Sequence, residues 1–126
     1  MPGTTETAAA EQSLAAQISN LVVQLLHTYT GRGPTKAWTS IESDLVTVVL
    51  RDALTKGEQH LVSDDREQLV LEMRHAFQHT MRHDLIQGVE RLTGRTVAAF
   101  LSSNHLDPDI AIENFVLEPH GAAGSA

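Results

Sequence analysis

The amino-acid sequence predicts an α+β domain of the order α-β-β-α-β-β, a two-layer sandwich in which an antiparallel four-stranded sheet carries its helices on one face. An apolar stripe of helical period occupies the first part of the chain. Two pairs of strand-like runs, each joined by turn residues, flank a long helical segment. A chain of 126 residues suits one domain. We expect it to span residues 11–118, between disordered tails at residues 1–10 and 119–126.

The first helix is predicted from apolar residues that recur on one helical face. These residues are Leu14, Ile18, Leu21, Val22, Leu25 and Tyr29. Gly31 suits the left-handed residue that follows a helix, and Pro34 prevents the helix from resuming.

A β-hairpin is predicted next, because β-branched residues dominate residues 36–42 and 45–51, and Ser43 and Asp44 supply a turn between them. Trp38 lies on a strand face that we expect to be half exposed. Such a tryptophan marks an interface or packs beneath a helix, and the sequence leaves both interpretations open.

Two helices are predicted after this hairpin. Thr55 begins a short helix that extends to about residue 62, and Thr55 and Glu58 have the spacing of a capping box. Ser63 or Asp64 is predicted to cap the long helix, and Asp64 and Glu67 have the spacing of a second capping box at its start. This helix extends to about residue 92, and Gly94 ends it.

Two further strands are predicted at residues 96–103 and 110–117, and Asn104, Asp107 and Pro108 supply the turn chemistry between them. The sequence does not decide the order of the four strands. An exposed edge or an uncovered second face of the sheet favours a homodimer, because so small a sheet rarely hides both faces alone.

Charge and composition exclude several function classes. A formal net charge of −7 argues against a nucleic-acid partner, which needs a basic face, and against electrostatic docking on an anionic membrane. The absence of cysteine excludes disulfides, thiolate zinc sites and a cysteine nucleophile, and is compatible with the cytoplasm. No apolar run is long enough to insert in a bilayer, and the start of the sequence lacks the basic region of a signal peptide.

Several motifs lie at the element boundaries in a fixed order. They are Gly31-Arg32-Gly33-Pro34 after the first helix, Leu54-Thr55 with Glu58 at the short helix, Leu92-Thr93-Gly94 after the long helix, and Phe115 and Leu117 in the last strand. In this order and spacing they resemble the MpsC-like family, over about residues 11–118. The sequence departs from the family pattern at Ser43, where glycine is usual, and at Trp38, where an aliphatic residue is usual.

The resemblance implies a non-enzymatic accessory or regulatory partner of a membrane ion or inorganic-carbon transport system. It implies action from the cytoplasmic side, and it supplies neither a cofactor nor established catalytic residues. The residues support the non-enzymatic part of this expectation. The paired carboxylates Asp64-Asp65 and Asp107/Asp109 suit a helix start and a turn, and no serine lies in a nucleophile elbow. An uncharacterised enzyme stays the least favoured interpretation.

Arg32, between Gly31 and Gly33, is the first candidate binding residue. Backbone amides beside glycine approach a ligand closely, and a guanidinium binds carboxylate or phosphate through two parallel hydrogen bonds. We therefore predict an anion site at these three residues. The alternative is that Arg32 satisfies carbonyl groups at the helix end or pairs with a carboxylate such as Glu58.

His75, His79 and His83 form the second candidate site. They repeat every four residues and so share one face of the long helix, roughly opposite the predicted apolar stripe of Val70, Met73, Phe77, Met81 and Leu85. Two imidazoles at this spacing bind Zn²⁺ or Ni²⁺, although three ligands from one straight helix rarely close a tetrahedral site. A stand-alone small-molecule or metal-responsive module is the alternative function, and a pH-responsive or simply solvated face are the other interpretations.

Overall fold

The computed structural model describes residues 13–119, which form three helices and four strands. In chain order these are α1 (Ser13–Thr30), β1 (Lys36–Glu42), β2 (Leu45–Arg51), α2 (Lys56–Ser63), α3 (Glu67–Thr93), β3 (Val97–His105) and β4 (Ile110–Leu117). The predicted tails at residues 1–10 and 119–126 lie outside the described residues, apart from Pro119. None of the described helices is long and apolar enough to cross a membrane.

The four strands form one antiparallel sheet in the order β1-β2-β4-β3. The two hairpins therefore join through β2 and β4, and β1 and β3 are the edges. This confirms the predicted α+β class with its four-stranded antiparallel sheet, and it supplies the strand order that the sequence left open. The two central strands are also the strands with most fully buried side chains, including Val46 and Val48 in β2 and Phe115 in β4.

The hydrophobic core lies between α1, α3 and one face of the sheet. Its buried members are Ile18, Val22, Leu26, Val46, Val48, Leu50, Met81, Leu85, Val89, Ala111, Phe115 and Leu117. The two long helices approach closely at Gly88, where an added Cβ would lie 2.4 Å from Leu21 Cδ2. The Tyr29 hydroxyl also donates a 2.6 Å hydrogen bond to Asp84, and this bond raises the pKa of Tyr29.

Most predicted element boundaries are confirmed. Gly31 and Gly94 are left-handed (φ 82° and 70°) and end α1 and α3. At the start of α2, the Glu58 amide donates to Thr55 Oγ1 (3.2 Å) and the Thr55 amide donates to Glu58 Oε1 (2.8 Å). This is the reciprocal capping box that the sequence predicts.

The second predicted capping box is wrong. Asp64 is the last residue of the α2 turn, because its amide donates to the His60 and Leu61 carbonyls, and Asp65 then adopts a left-handed conformation (φ 59°). Helix α3 consequently begins after Arg66, which makes no side-chain capping bond. Asp64 therefore belongs to the turn that ends α2, whereas the spacing had assigned it to the start of α3.

The predicted apolar stripe of α3 is only partly correct. Val70, Met81 and Leu85 are buried as expected, whereas Met73 and Phe77 are half-buried. Two polar residues, Arg74 and Gln78, are buried among these positions, and Gly88 and Val89 are buried further along the helix. The helix is therefore rotated so that two polar side chains face the sheet.

The capping box gives a test of the α2 boundary. Thr55→Ala removes the side-chain acceptor for the Glu58 amide, so we expect the free energy of unfolding to fall by about 1 kcal/mol. Urea denaturation measures this change, and Thr55→Ser is the matched control because it keeps the hydroxyl acceptor. Equal stability of Thr55→Ala and the wild type would show that this cap does not contribute to folding.

Candidate functional site

Five polar side chains meet beneath the helices, in a group that we call the buried polar cluster. Glu58 comes from α2, Arg74 and Gln78 from α3, Asn104 from β3 and Glu113 from β4. Four of the five are almost inaccessible, with exposed fractions of 1% for Glu58, 4% for Arg74, 8% for Gln78 and 2% for Glu113. Four separate elements of the fold thus supply one polar interior.

Two sets of interactions connect the buried polar cluster. Arg74 Nη1 lies 3.5 Å from Glu58 Oε1, the same oxygen that accepts the Thr55 amide. Gln78 and Asn104 form a reciprocal pair of side-chain amide hydrogen bonds, of 2.9 and 3.1 Å. Gln78 Nε2 also lies 3.4 Å from Glu113 Oε1 and donates a long hydrogen bond to it. Helices α2 and α3 are therefore tied to each other and to the two strands on this side of the sheet.

The buried polar cluster has more acidic than basic groups, two carboxyl groups against one guanidinium. Among the described residues, Glu58 Oε2 and Glu113 Oε2 have no hydrogen-bond partner. Burial raises the pKa of Glu113 to about 7, and the Ser102 hydroxyl and the Arg74 charge offset only part of this rise. The Ser102 hydroxyl lies beside this carboxyl group, although its Oγ forms no hydrogen bond of standard geometry among the described residues. Glu113 therefore exchanges its proton near neutral pH.

A small cavity lies inside the buried polar cluster. Its volume is about 10 Å³, and its polar walls are Arg74, Gln78, Asn104 and Glu113, with apolar side chains such as Leu26 and Phe77 completing it. A cavity of this volume is close to the minimum that holds one water molecule. The interior is thus nearly fully packed, and any larger ligand binds outside it.

A larger cleft opens on the outer side of Gln78, between α3 and β3. This α3–β3 cleft has a volume of about 120 Å³ and is lined by His75, Gln78, His79, Arg82, Phe100 and Ser102. The guanidinium carbon of Arg82 lies 5.7 Å from the centre of the Phe100 ring, which holds the cation over the aromatic face. Because Gln78 also lines the inner cavity, a single side chain separates the two spaces.

The structure places two of the three predicted histidines at the α3–β3 cleft. His75 and His79 line it, whereas His83 is exposed one turn further along α3 and does not contribute. In residues 13–119, no three histidine, aspartate or glutamate side chains converge in an arrangement that would hold a metal ion. The metal site at His75, His79 and His83 stays a prediction.

Arg32 lies at a different place, at the end of α1. Its Nη1 donates to the Leu54 carbonyl (2.7 Å), and its Nη2 lies 2.9 Å from Asp52 Oδ2. The suggested pairing of Arg32 with Glu58 is wrong, because Glu58 faces Arg74 instead. Arg32 therefore fastens the segment between β2 and α2 to the end of α1.

The two glycines beside Arg32 have distinct surroundings. An added Cβ at Gly31 would meet no atom of residues 13–119, whereas one at Gly33 would lie 3.2 Å from Val23 Cγ1. Gly33 thus allows the chain to pass close to α1, while Gly31 supplies the left-handed turn. The anion site at Gly31, Arg32 and Gly33 stays a prediction. The Arg32 guanidinium already has two partners within the protein, the Leu54 carbonyl and Asp52.

Another cleft, of about 270 Å³, lies near the turn between β3 and β4 and is acidic. Asp52, Asp107 and Asp109 are among its lining residues. Asp109 Oδ2 accepts the Leu54 amide (2.9 Å), so this carboxylate fixes the loop before α2. The structure confirms a turn at residues 106–109, which includes the predicted Asp107 and Pro108, whereas Asn104, also predicted as a turn residue, lies within β3.

The sheet face opposite the helices is uncovered in the described chain, and we call it the open sheet face. Its largest exposed apolar side chains are Trp38, Leu45, Leu101 and Val116. At its centre Thr47 Oγ1 donates to Asn114 Oδ1 (2.8 Å), so these two polar groups satisfy each other. The prediction of a half-exposed face at Trp38 is confirmed, since 54% of that residue is accessible.

The buried polar cluster was not predicted, although the sequence carries a signal for it. Arg74 and Gln78 follow Val70 at intervals of four, which places them on the face of the buried Val70. Glu113 alternates with Ala111 and Phe115, so it lies on the apolar side of β4. Polar residues at positions where the helix or strand period predicts apolar ones thus indicate a buried polar cluster.

The raised pKa of Glu113 predicts how stability depends on pH. A pKa near 7 in the folded protein, against 4.5 ordinarily, means that folding favours the protonated form. This contribution is fully present below pH 4.5 and is lost as the pH rises through 7, with a total of about 3 kcal/mol. Glu113→Gln stays neutral, so we expect its stability relative to the wild type to increase between pH 5 and pH 8.

Urea denaturation of the wild type and of Glu113→Gln across this pH range measures the difference between their free energies of unfolding. The contributions of the other titrating groups are common to both proteins and cancel in this difference. Glu118→Gln, at an exposed position just after β4, is the control and should give a profile parallel to the wild type. A parallel profile for Glu113→Gln as well would mean that Glu113 is not protonated in the folded protein near neutral pH.

Comparisons with known proteins place the chain in a family. No curated protein and no solved structure showed a significant match. One family model matches residues 10–119, which includes every helix and strand of the fold, and its description is Na⁺-translocating membrane potential-generating system (MpsC). The match agrees with the motifs at Gly31–Pro34 and Leu54–Glu58. The chain therefore belongs to the MpsC family.

Proposed function

We propose that this protein is a non-enzymatic accessory or regulatory component of a membrane-potential-generating ion transport system, and that it acts as a homodimer on the cytoplasmic side. The family description supplies the association with such a system. The open sheet face is the observation that carries the proposal, because an accessory protein acts through contacts and four of the six large apolar side chains that are exposed among the described residues lie on this face. Its partner in the dimer is a second copy of the chain, and the dimer in turn contacts the transport component.

The chemistry of the open sheet face supports self-association. Trp38 in β1 and Leu101 in β3 lie on opposite edge strands, and each is 54% exposed. Between them the face presents the outward side chains of the two central strands, including Thr47, Ile112 and Asn114. Several exposed apolar side chains on one face are characteristic of interaction sites.

The charge distribution favours a second copy as the occupant. Each chain carries a formal net charge of −7, so two copies repel one another over most of their surfaces. Within the described sheet, no charged side chain lies in the middle of the open face. Lys36 and Arg51 are paired at one end of the first hairpin, and Glu42 lies at the other end. A two-fold arrangement with reversed strand directions brings the basic end of each copy to the acidic end of its partner.

The roles of the carboxylates support a binding function rather than catalysis. Asp109 accepts a backbone amide, Asp52 pairs with Arg32, and Glu58 serves both the α2 cap and Arg74. Each of these groups holds elements of the fold together. A non-enzymatic component needs a rigid surface of this kind for its partner.

A second candidate function is that of a small-molecule or metal-responsive module, which the α3–β3 cleft favours because it holds His75 and His79. Calorimetry with Zn²⁺ and Ni²⁺ tests the metal form of this function. Binding that is no tighter than that of an ordinary surface histidine pair, or that is unchanged in His79→Ala, removes it.

Sedimentation equilibrium tests the dimer. We expect the wild type to be dimeric, and Trp38→Glu and Leu101→Glu each to weaken the dimer by about tenfold or more, because each places a charge in the apolar face. Leu69→Glu is the matched control, since Leu69 is an apolar residue with 41% exposure that lies on α3. A monomeric wild type, or dissociation by Leu69→Glu alone, would refute the dimer at the open sheet face.

The same variants test the link to the membrane potential. In cells that lack the native gene, a voltage-sensitive dye should report a lower Na⁺-dependent potential. The wild type and Leu69→Glu should restore it, and Trp38→Glu should not. A potential that is unaffected by loss of the gene would contradict the accessory role, whatever the oligomeric state.

A further inference from the structure

We infer that the α3–β3 cleft is a binding site for a small oxyanion, a phosphate or carboxylate group, which Arg82, His75 and His79 would contact from α3 and the Ser102 hydroxyl from β3. The proposed accessory role does not assign this site, and the inference does not depend on the dimer.

Charge is the first argument. The protein has a formal net charge of −7, yet the α3–β3 cleft is lined by one guanidinium and two imidazoles. Within residues 13–119 no carboxylate lines it. The described ion pairs do not include Arg82, so no carboxylate among the described residues neutralises its charge at the cleft. A local group of nitrogen donors in an acidic protein concentrates anions at that point.

The orientation of Arg82 is the second argument. The Phe100 ring lies beneath its guanidinium, and Phe100 is itself fixed against Phe115 with ring centres 5.0 Å apart. A guanidinium held over an aromatic face keeps its N–H groups free to donate at its edge. Less rotational freedom is then lost when two parallel hydrogen bonds form to an oxyanion.

The Ser102 hydroxyl is the third argument. Ser102 lines the cleft, and its Oγ is buried beside the Glu113 carboxyl group but forms no hydrogen bond of standard geometry among the described residues. Its hydroxyl hydrogen can therefore be donated to an acceptor oxygen in the cleft, which lowers the cost of burying the hydroxyl. Gln78 supplies the rigid floor, because its amide is held by Asn104 and Glu113.

Size and position define the class of ligand. A volume of about 120 Å³ is below that of sites for drug-sized molecules and suits a single charged group, either free or at the end of a larger molecule. Phe100 and Ser102 face the same side of the sheet as Phe115 and Glu113. The cleft therefore lies on the helix side and stays accessible when the open sheet face is covered.

Titration of the full-length protein by NMR and calorimetry tests the inference, after EDTA treatment so that no metal on His75 and His79 mediates binding. The probes are inorganic phosphate and acetate. We expect at least one of them to bind with a Kd of about 1 mM or below and to shift the Ser102 amide and the His75 and His79 ring signals. Preference for phosphate would assign tetrahedral anions, and preference for acetate would assign carboxylates.

Matched variants on α3 separate a specific site from general charge. Arg82→Gln, and independently the pair His75→Asn with His79→Asn, should each weaken binding by at least about tenfold. Arg91→Gln and His83→Asn remove the same side-chain types from exposed positions outside the cleft and should leave the Kd unchanged. Circular dichroism confirms that every variant is folded. Failure of both probes to bind, or equal weakening by the control variants, would overturn the inference.

Discussion

Arg74 and Glu58 meet at a depth where neither side chain is more than 4% exposed. An ion pair in such surroundings contributes little net stability, but removal of one partner leaves a buried charge and typically costs about 3–5 kcal/mol. The pair fixes α2 against α3, and the Thr55 cap uses the same carboxyl group of Glu58. The rotation of α3 about its axis follows from it, because Arg74 can reach Glu58 only if that face turns inward.

This rotation determines what the rest of α3 presents. Gln78, one turn after Arg74, is brought against Asn104 and Glu113, and it becomes the wall between the interior and the α3–β3 cleft. His75 and His79, on the neighbouring face of the helix, then border the cleft at the β3 edge. The position of the proposed oxyanion site thus follows from the contacts that Arg74 and Gln78 make in the buried polar cluster. The raised pKa of Glu113 arises in the same cluster.

The proposed dimer surface and the proposed oxyanion site lie on opposite sides of one sheet. Helices α1 and α3 cover one side and form the core, and the α3–β3 cleft and the buried polar cluster lie on that side. On the other side Trp38 and Leu101 are exposed, and the charged side chains of the described sheet lie only at the ends of that face. Membership of the MpsC family links this arrangement to a membrane-potential-generating system, in which one surface for a partner and a separate site for a small ligand would allow the ligand to regulate the contact.

Local chemistry in the sequence determined the elements. The apolar period predicted α1, the β-branched runs predicted the two hairpins, and Gly31, Gly94 and the Thr55 box predicted where helices begin and end, since each depends on neighbours within a few residues. The Asp64 box was wrong for a related reason, because two overlapping local signals competed and only the end of α2 formed.

Tertiary structure alone decided the order β1-β2-β4-β3, the pairing of Arg32 with Asp52, and the assembly of Arg74, Gln78 and Glu113. These depend on contacts between residues far apart in the chain. The most apolar strands become central because only there are both neighbours available to bury them, and a polar residue on an apolar face is tolerated only if a distant element supplies its partner. Sequence periodicity identifies the face of a residue, but the partner across that face is set by packing.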